Sequence, residues 1–173
     1  DPGHGNIKEN GVVDPGTVGL VLGYTDREVG YAVGDKLRHL LEAQGAIVVM
    51  TREAEPTTVT LTDRPIIANQ VGADAFVSIH GNALENNTTK QGAEVYYYAQ
   101  QFLTPSAQKN SRQELAQAVN QGIADATGRS CVVKDFQNYV VLRNTECPSI
   151  LVETGYLSNA EEEALLADST YQQ

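Results

Sequence analysis

The sequence predicts an α/β fold, a single domain in which one twisted, largely parallel β-sheet carries helices on both faces. Three observations lead there. Apolar runs of strand length alternate with helix-periodic segments, the pattern of a layered α/β chain. The first helical segment repeats its apolar residues close to every 3.6 positions. At 173 residues, with 41% apolar and 20% charged residues, the chain suits one hydrophobic core.

Taken in order, residues 46–51 (AIVVMT), 75–80 (AFVSIH), 93–98 (AEVYYY) and 149–153 (SILVE) are the expected strands. Residues 26–44 form the first expected helix, with Val29, Val33, Leu37, Leu40 and Leu41 on its apolar stripe and Gly45 ending it. Residues 63–71, 111–127 and 159–167 are the other helix candidates. The polar or Gly/Asn-bearing segments 6–13 (NIKENGVV) and 84–91 (LENNTTKQ) are expected surface loops, each just after a histidine. In an open α/β sheet reactive residues gather at the carboxyl ends of the strands.

Charge and composition narrow the function. A net charge of −10 and a pI near 4.6 argue against nucleic acid, whose backbone requires a basic surface. No apolar run approaches the length needed to span a bilayer. Cys131 and Cys147 could form one disulfide, but neither has a paired metal-binding spacing, and two free thiols are the favoured expectation. The chain opens on the turn sequence Asp1-Pro2-Gly3 with no signal peptide before it, so an upstream strand is expected to have been trimmed, with the C-terminal end a second candidate for trimming.

There are three histidines to weigh. His39 falls inside the first helix among Lys36, Arg38 and Glu42, where a solvated residue is expected. His4 stands between glycines in DPGHG, a turn that leaves an imidazole uncovered. His80 ends the run AFVSIH, so its ring is expected at the carboxyl edge of the sheet. Edge packing explains one such histidine; two at strand-to-loop junctions suit a metal equally well. A catalytic zinc takes a third N or O ligand and keeps one position for water. Asp26 and Glu28 at the first helix's start both qualify, although each also suits the positive end of a helix dipole. Glu153 follows the apolar run Ile150-Leu151-Val152; a charge there is costly unless paired or used, so it is either catalytic or a cap for nearby amides.

These pieces together resemble the zinc-dependent N-acetylmuramoyl-L-alanine amidase family of bacterial cell-wall remodelling enzymes, spore lytic enzymes and phage endolysins. The resemblance runs nearly end to end: DPGHG (1–5), DPG (14–16), LLEAQGAIVVMTR (40–52), LTDRPIIAN (61–69), ADAFVSIHGNA (73–83), GAEVYY (92–97) and VLRNTECPSILVETGYLSN (141–159). It implies one Zn2+ per chain on His4, His80 and an acidic residue opening the first helix, with Glu153 as general acid/base. Counting back without gaps from Gly45 places Asp26 at the ligand position, with Glu28 the alternative; the family usually has glutamate there, and the loop from His4 to Asp14 is longer than its usual glycine-rich link.

The activity so implied is hydrolysis of the amide between N-acetylmuramic acid and the L-alanine of the stem peptide. Asn82 and Arg143 are candidates for substrate contact, or else a loop amide and a surface arginine. Alternatives are a non-catalytic zinc-containing wall-binding module and a zinc peptidase acting on stem peptides. Peptidoglycan is the expected partner, with no nucleic acid, no membrane span, a monomeric state, and an extracellular, periplasmic or wall-associated location.

Overall fold

The structure is a computed structural model that describes residues 1–99 and 106–173. Its elements are α1 (Asp26–Ala43), α2 (Asp63–Gln70), β1 (Phe76–Asn82), β2 (Ala93–Tyr97), α3 (Ser106–Thr127), β3 (Cys131–Asp135), α4 (Val140–Asn144), β4 (Ser149–Tyr156) and α5 (Ala160–Ala167). The strands are ordered β1-β4-β2-β3, with β2 parallel to β3 and antiparallel to β4, so the sheet is mixed. Two compact units divide the chain: Asp1–Val59, Ile79–Gln91 and Thr154–Gln173 make the first, Thr60–Ser78 and Gly92–Glu153 the second.

In the second unit the alternation of side chains along a strand sorts the core onto two faces. Val95, Ile150 and Val152 point one way and pack with Ala116, Leu115, Val119 and Ile123 of α3. Leu151 points the other way and packs with Ala68 of α2 and with Val141 and Leu142 of α4. Helices therefore cover both faces, as the alternating pattern predicts. Cys131 and Cys147 are free thiols. Neither β3 nor α4 was foreseen. Val132 of β3 remains 40% exposed, so that strand lacks a buried apolar run, and α4 has only 5 residues, too few to show a helical period.

In the first unit α1 begins with a reciprocal cap: the Thr25 hydroxyl accepts from the Glu28 amide, and the Glu28 carboxylate accepts from the Thr25 amide. It ends as foreseen, with Gly45 at φ +89° beyond the Gln44 cap. Its buried stripe is narrower than the sequence suggests. Val29 packs with Leu157 and Leu166, and Val33 lies against that cluster, but Leu40 and Leu41 are 48% and 41% exposed. Glycines occupy much of the buried face. A Cβ on Gly30 would come within 2.7 Å of the Ile79 carbonyl oxygen and 3.0 Å of the Gly3 amide nitrogen, so glycine lets α1 approach these backbones.

Two expectations need correction. Residues 46–51 do not form a strand: Ile47 is 96% exposed, and Thr51 at the end of the segment and Arg52 just after it have buried side chains that anchor the N-terminal turn. His80 does not end its strand, because β1 continues through Gly81 to Asn82. Leu157 donates its amide to the Asn82 carbonyl at 2.7 Å, which secures that extension.

Candidate metal centre

The N-terminal turn is built to hold one imidazole. His4 has φ +57° and Gly5 φ +81°, a left-handed stretch that turns the chain sharply. Gly3 donates to the Ile79 carbonyl and Ile79 to the Asp1 carbonyl, both at 2.9 Å, which ties the turn to β1. Arg52 clamps it from the other side. Its guanidinium donates to the carbonyls of Pro2 (3.1 Å), Gly3 (2.7 Å) and Arg27 (2.7 Å), linking the turn to the first turn of α1. Thr51 adds a hydroxyl bond to the Asp1 carboxylate.

Asp26, His4 and His80 meet at this point. Each offers one ligand atom, and the three atoms lie within 4.8 Å of one another. His4 Nε2 is 2.9 Å from Asp26 Oδ2, and His80 Nδ1 is 3.4 Å from Asp26 Oδ1. The two rings stand edge to face with centroids 5.0 Å apart. Asp26 is the first residue of α1 and 3% exposed; its Oδ1 also accepts the Gly81 amide at 2.9 Å. His80 is fixed through its backbone, whose carbonyl accepts the Thr154 hydroxyl at 2.9 Å.

A fourth residue braces the group. Asp14 Oδ2 lies 2.7 Å from His4 Nδ1, and Lys8 lies 3.0 Å from Asp14 Oδ1. With Nδ1 committed to Asp14, Nε2 is the ring nitrogen turned toward Asp26 and His80. That is the arrangement in which a second carboxylate orients a metal-ligating imidazole. Without an ion the charges around His4 favour the protonated ring, so a metal binding at Nε2 would displace a proton. Burial opposes charge on His4, but hydrogen bonds and charges from Asp26 and Asp14 outweigh it and raise the pKa to about 9. Burial likewise favours the neutral acid at Asp26, yet hydrogen bonds from His4 and His80 hold that carboxyl far below the usual range.

The donor set of two imidazole nitrogens and one carboxylate oxygen is that of a catalytic zinc site with a position left for water. Its surroundings leave no room for larger residues. A Cβ on Gly3 would stand 2.2 Å from His80 Cε1, and one on Gly16 would stand 2.6 Å from both Asp26 Cβ and His4 Cδ2. Gly16 also has φ +68°. These residues fit a zinc ion.

The cluster contains His4, Asp26 and His80 of the expected set. Glu28 is occupied in the α1 cap, on the exposed side of that helix turn. Asn82 is half-buried at the end of β1. Glu153 and Arg143 belong to the second unit: Glu153 is 8% exposed on β4, and Arg143 is exposed in the last turn of α4. His39 is the solvated residue expected, its ring between Asp35 and Glu42 on the surface of α1. Sequence reasoning assigned no part to Asp14 or Arg52. The second Asp-Pro-Gly turn was the available signal for Asp14, whereas nothing local marks Arg52 as a clamp.

Comparison with known proteins settles the family. The family described as N-acetylmuramoyl-L-alanine amidase matches residues 1–173, the whole chain. The chain belongs to that amidase family. Among solved structures it resembles the N-acetylmuramoyl-L-alanine amidase AmiC2 of Nostoc punctiforme at 35% identity and TM-score 0.83, covering 99% of this chain and 85% of that one. It is also similar to the catalytic domain of the amidase CwlV from Bacillus (Paenibacillus) polymyxa var. colistinus, at 32% identity and TM-score 0.81, covering 99% and 86%. A relative named probable cell wall amidase LytH, from Staphylococcus epidermidis, is 32% identical over the whole chain. This amidase-family chain spans 52% of that relative's length. No helix among its described residues is long and apolar enough to cross a membrane.

Proposed function

We propose that residues 1–173 act as the catalytic domain of a zinc-dependent N-acetylmuramoyl-L-alanine amidase, which hydrolyses the amide joining N-acetylmuramic acid to L-alanine in peptidoglycan. The observation that carries this reading is the convergence of His4, Asp26 and His80, braced by Asp14, in a chain of the amidase family. In it His4, Asp26 and His80 hold one zinc and Glu28 does not. When bound, that ion would polarise the amide carbonyl and lower the pKa of a coordinated water toward about 7.

The remaining work falls to the protein. Glu153 takes the proton from the attacking water and returns it to the departing L-alanine nitrogen, so the amine leaves neutral. Glu153 is 8% exposed, so bulk water has little access to the carboxylate that carries the proton. Asn82 and Arg143 contact the glycan or stem peptide. The protein acts outside the cytoplasm, on the wall, as a monomer.

Digestion of purified peptidoglycan with mass spectrometry of the fragments tests the reaction. Free lactyl ends on muramic acid and free L-alanine amines are expected; cleavage within stem peptides alone would establish a peptidase, and binding without cleavage a recognition module.

A further inference from the structure

Strands β2 and β4 run antiparallel with Glu94 directly opposite Glu153. Directly opposed residues put their side chains on the same face of the sheet, with Cβ atoms about 5 Å apart. Both carboxylates are buried, Glu94 at 2% exposure and Glu153 at 8%. Two such groups side by side repel, and low exposure strengthens the repulsion.

The structure shows how one of them is held. Lys134 of β3 stands opposite Tyr96 in the parallel register, and its ammonium lies 2.6 Å from Glu94 Oε1. Tyr96, two residues along β2 on the same face, donates its phenol to Glu94 Oε2. Burial first, then that bond and the charge of Glu94, push the Tyr96 pKa well up, so the phenol remains a neutral donor. Phe136 and Tyr139 fix the Tyr96 ring, with centroids 5.8 Å and 5.3 Å away. Each oxygen of Glu94 thus has its own donor, both from the side of β2 and β3. Sheet packing alone requires no such group, since the neighbouring pair on this face, Tyr96 with Leu151, is a tyrosine against an aliphatic side chain.

We propose that Glu94, fixed by Lys134 and Tyr96, is a positioning residue for Glu153, its carboxylate repelling that of Glu153 and holding it away from β2 in the orientation from which it exchanges a proton. The inference rests on Glu153 being the proton carrier. In Glu94→Gln the repulsion disappears and the new amide N–H can donate to Glu153, drawing it toward β2. Glu94→Asp keeps the charge.

Steady-state kinetics on soluble muramyl-peptide, with zinc content and circular dichroism measured on each variant, test it. Glu94→Gln should lower kcat by about 10- to 100-fold, the scale of a misplaced catalytic group, with KM and zinc content near the parent's. Glu94→Asp should recover most of that loss. If Glu94→Gln folds poorly because Lys134 loses its partner, the double variant Glu94→Gln/Lys134→Met removes both charges and should show the same fall in kcat. Parental kcat in Glu94→Gln or in the double variant would overturn the proposal, as would a Glu94→Asp variant as impaired as Glu94→Gln. Glu153→Gln separates the two ideas. If it is inactive while Glu94→Gln is fully active, only the positioning role fails; if it keeps parental activity, the acid/base reading fails.

Discussion

His4, Asp26 and His80 illustrate how much a single side chain depends on its neighbours. Asp26 lies against two imidazoles and accepts one backbone amide, whereas Glu28, two residues on, closes a helix cap. The two acids therefore respond differently to deletion. Asp26→Ala should reduce zinc, measured by elemental analysis after dialysis, from one per chain to a small fraction. Glu28→Ala should leave zinc intact and cost about 1 kcal/mol in urea unfolding, the usual loss for a helix cap. A zinc-free Glu28→Ala protein would transfer the ligand role to that residue. Asp14→Asn gives a subtler effect, because the amide keeps the shape of the brace but loses its charge toward His4. Zinc affinity, titrated against a competing chelator, should weaken by about 10- to 100-fold. Unchanged affinity would mean that the Arg52 clamp alone suffices to aim His4.

At the scale of elements, α1 and α5 each carry a structural demand that a residue-by-residue reading misses. Gly30 lets α1 lie against the Ile79 carbonyl and the Gly3 amide. Gly30→Ala should push α1 off β1 and the N-terminal turn, lowering stability by about 1 to 3 kcal/mol as overpacking does, with weaker zinc binding in the same protein. Equal zinc affinity in the two proteins would show that the site tolerates a displaced helix. Glu163 of α5 has no solvent exposure, and its carboxylate accepts the amides of Val21, Leu22 and Tyr24 at 2.8, 2.8 and 3.2 Å. It supports a loop whose own side chains Leu20, Val21 and Leu22 are 62%, 68% and 60% exposed and so supply little packing. Glu163→Gln replaces one acceptor oxygen by a donor facing backbone amides. A loss of about 2 to 3 kcal/mol is expected, the range for breaking a charge-assisted bond, and loop amides 21–24 should exchange hydrogen faster.

For the whole molecule, a metal held by His4, Asp26 and His80 would be linked to the fold by mass action. Zinc bound to the folded chain alone stabilises it by RT ln(1 + [Zn]/Kd), about 4 kcal/mol at a thousandfold excess over Kd. Chelation should therefore lower Tm along with activity, and added zinc should restore both. A chelated protein that keeps its Tm while losing activity would mean that the ligands are held by Arg52, Asp14 and the Gly81 amide so firmly that the ion adds no stability. Activity that survives chelation would remove the metal from the mechanism.

The sequence by itself determined the α/β class, α1 with its Gly45 end, and the identity of the two imidazoles. Those features rest on local rules: apolar period, left-handed glycine, and a histidine set in a tight turn. It also brought the family within reach, since ordered motifs survive in the linear chain. What it left open between Asp26 and Glu28 is a question of direction in space, and only the packed α1 turns one carboxylate inward and ties the other to Thr25. The same holds for Asp14, Arg52 and Glu94. Arg52 gains its meaning from carbonyls at positions 2, 3 and 27, and Glu94 from facing residue 153 across a register that no local pattern encodes. Residues 46–51 show the converse. They have the composition of a strand, but a strand exists only where a partner completes its hydrogen bonds, and tertiary structure used the end of that segment to clamp a turn.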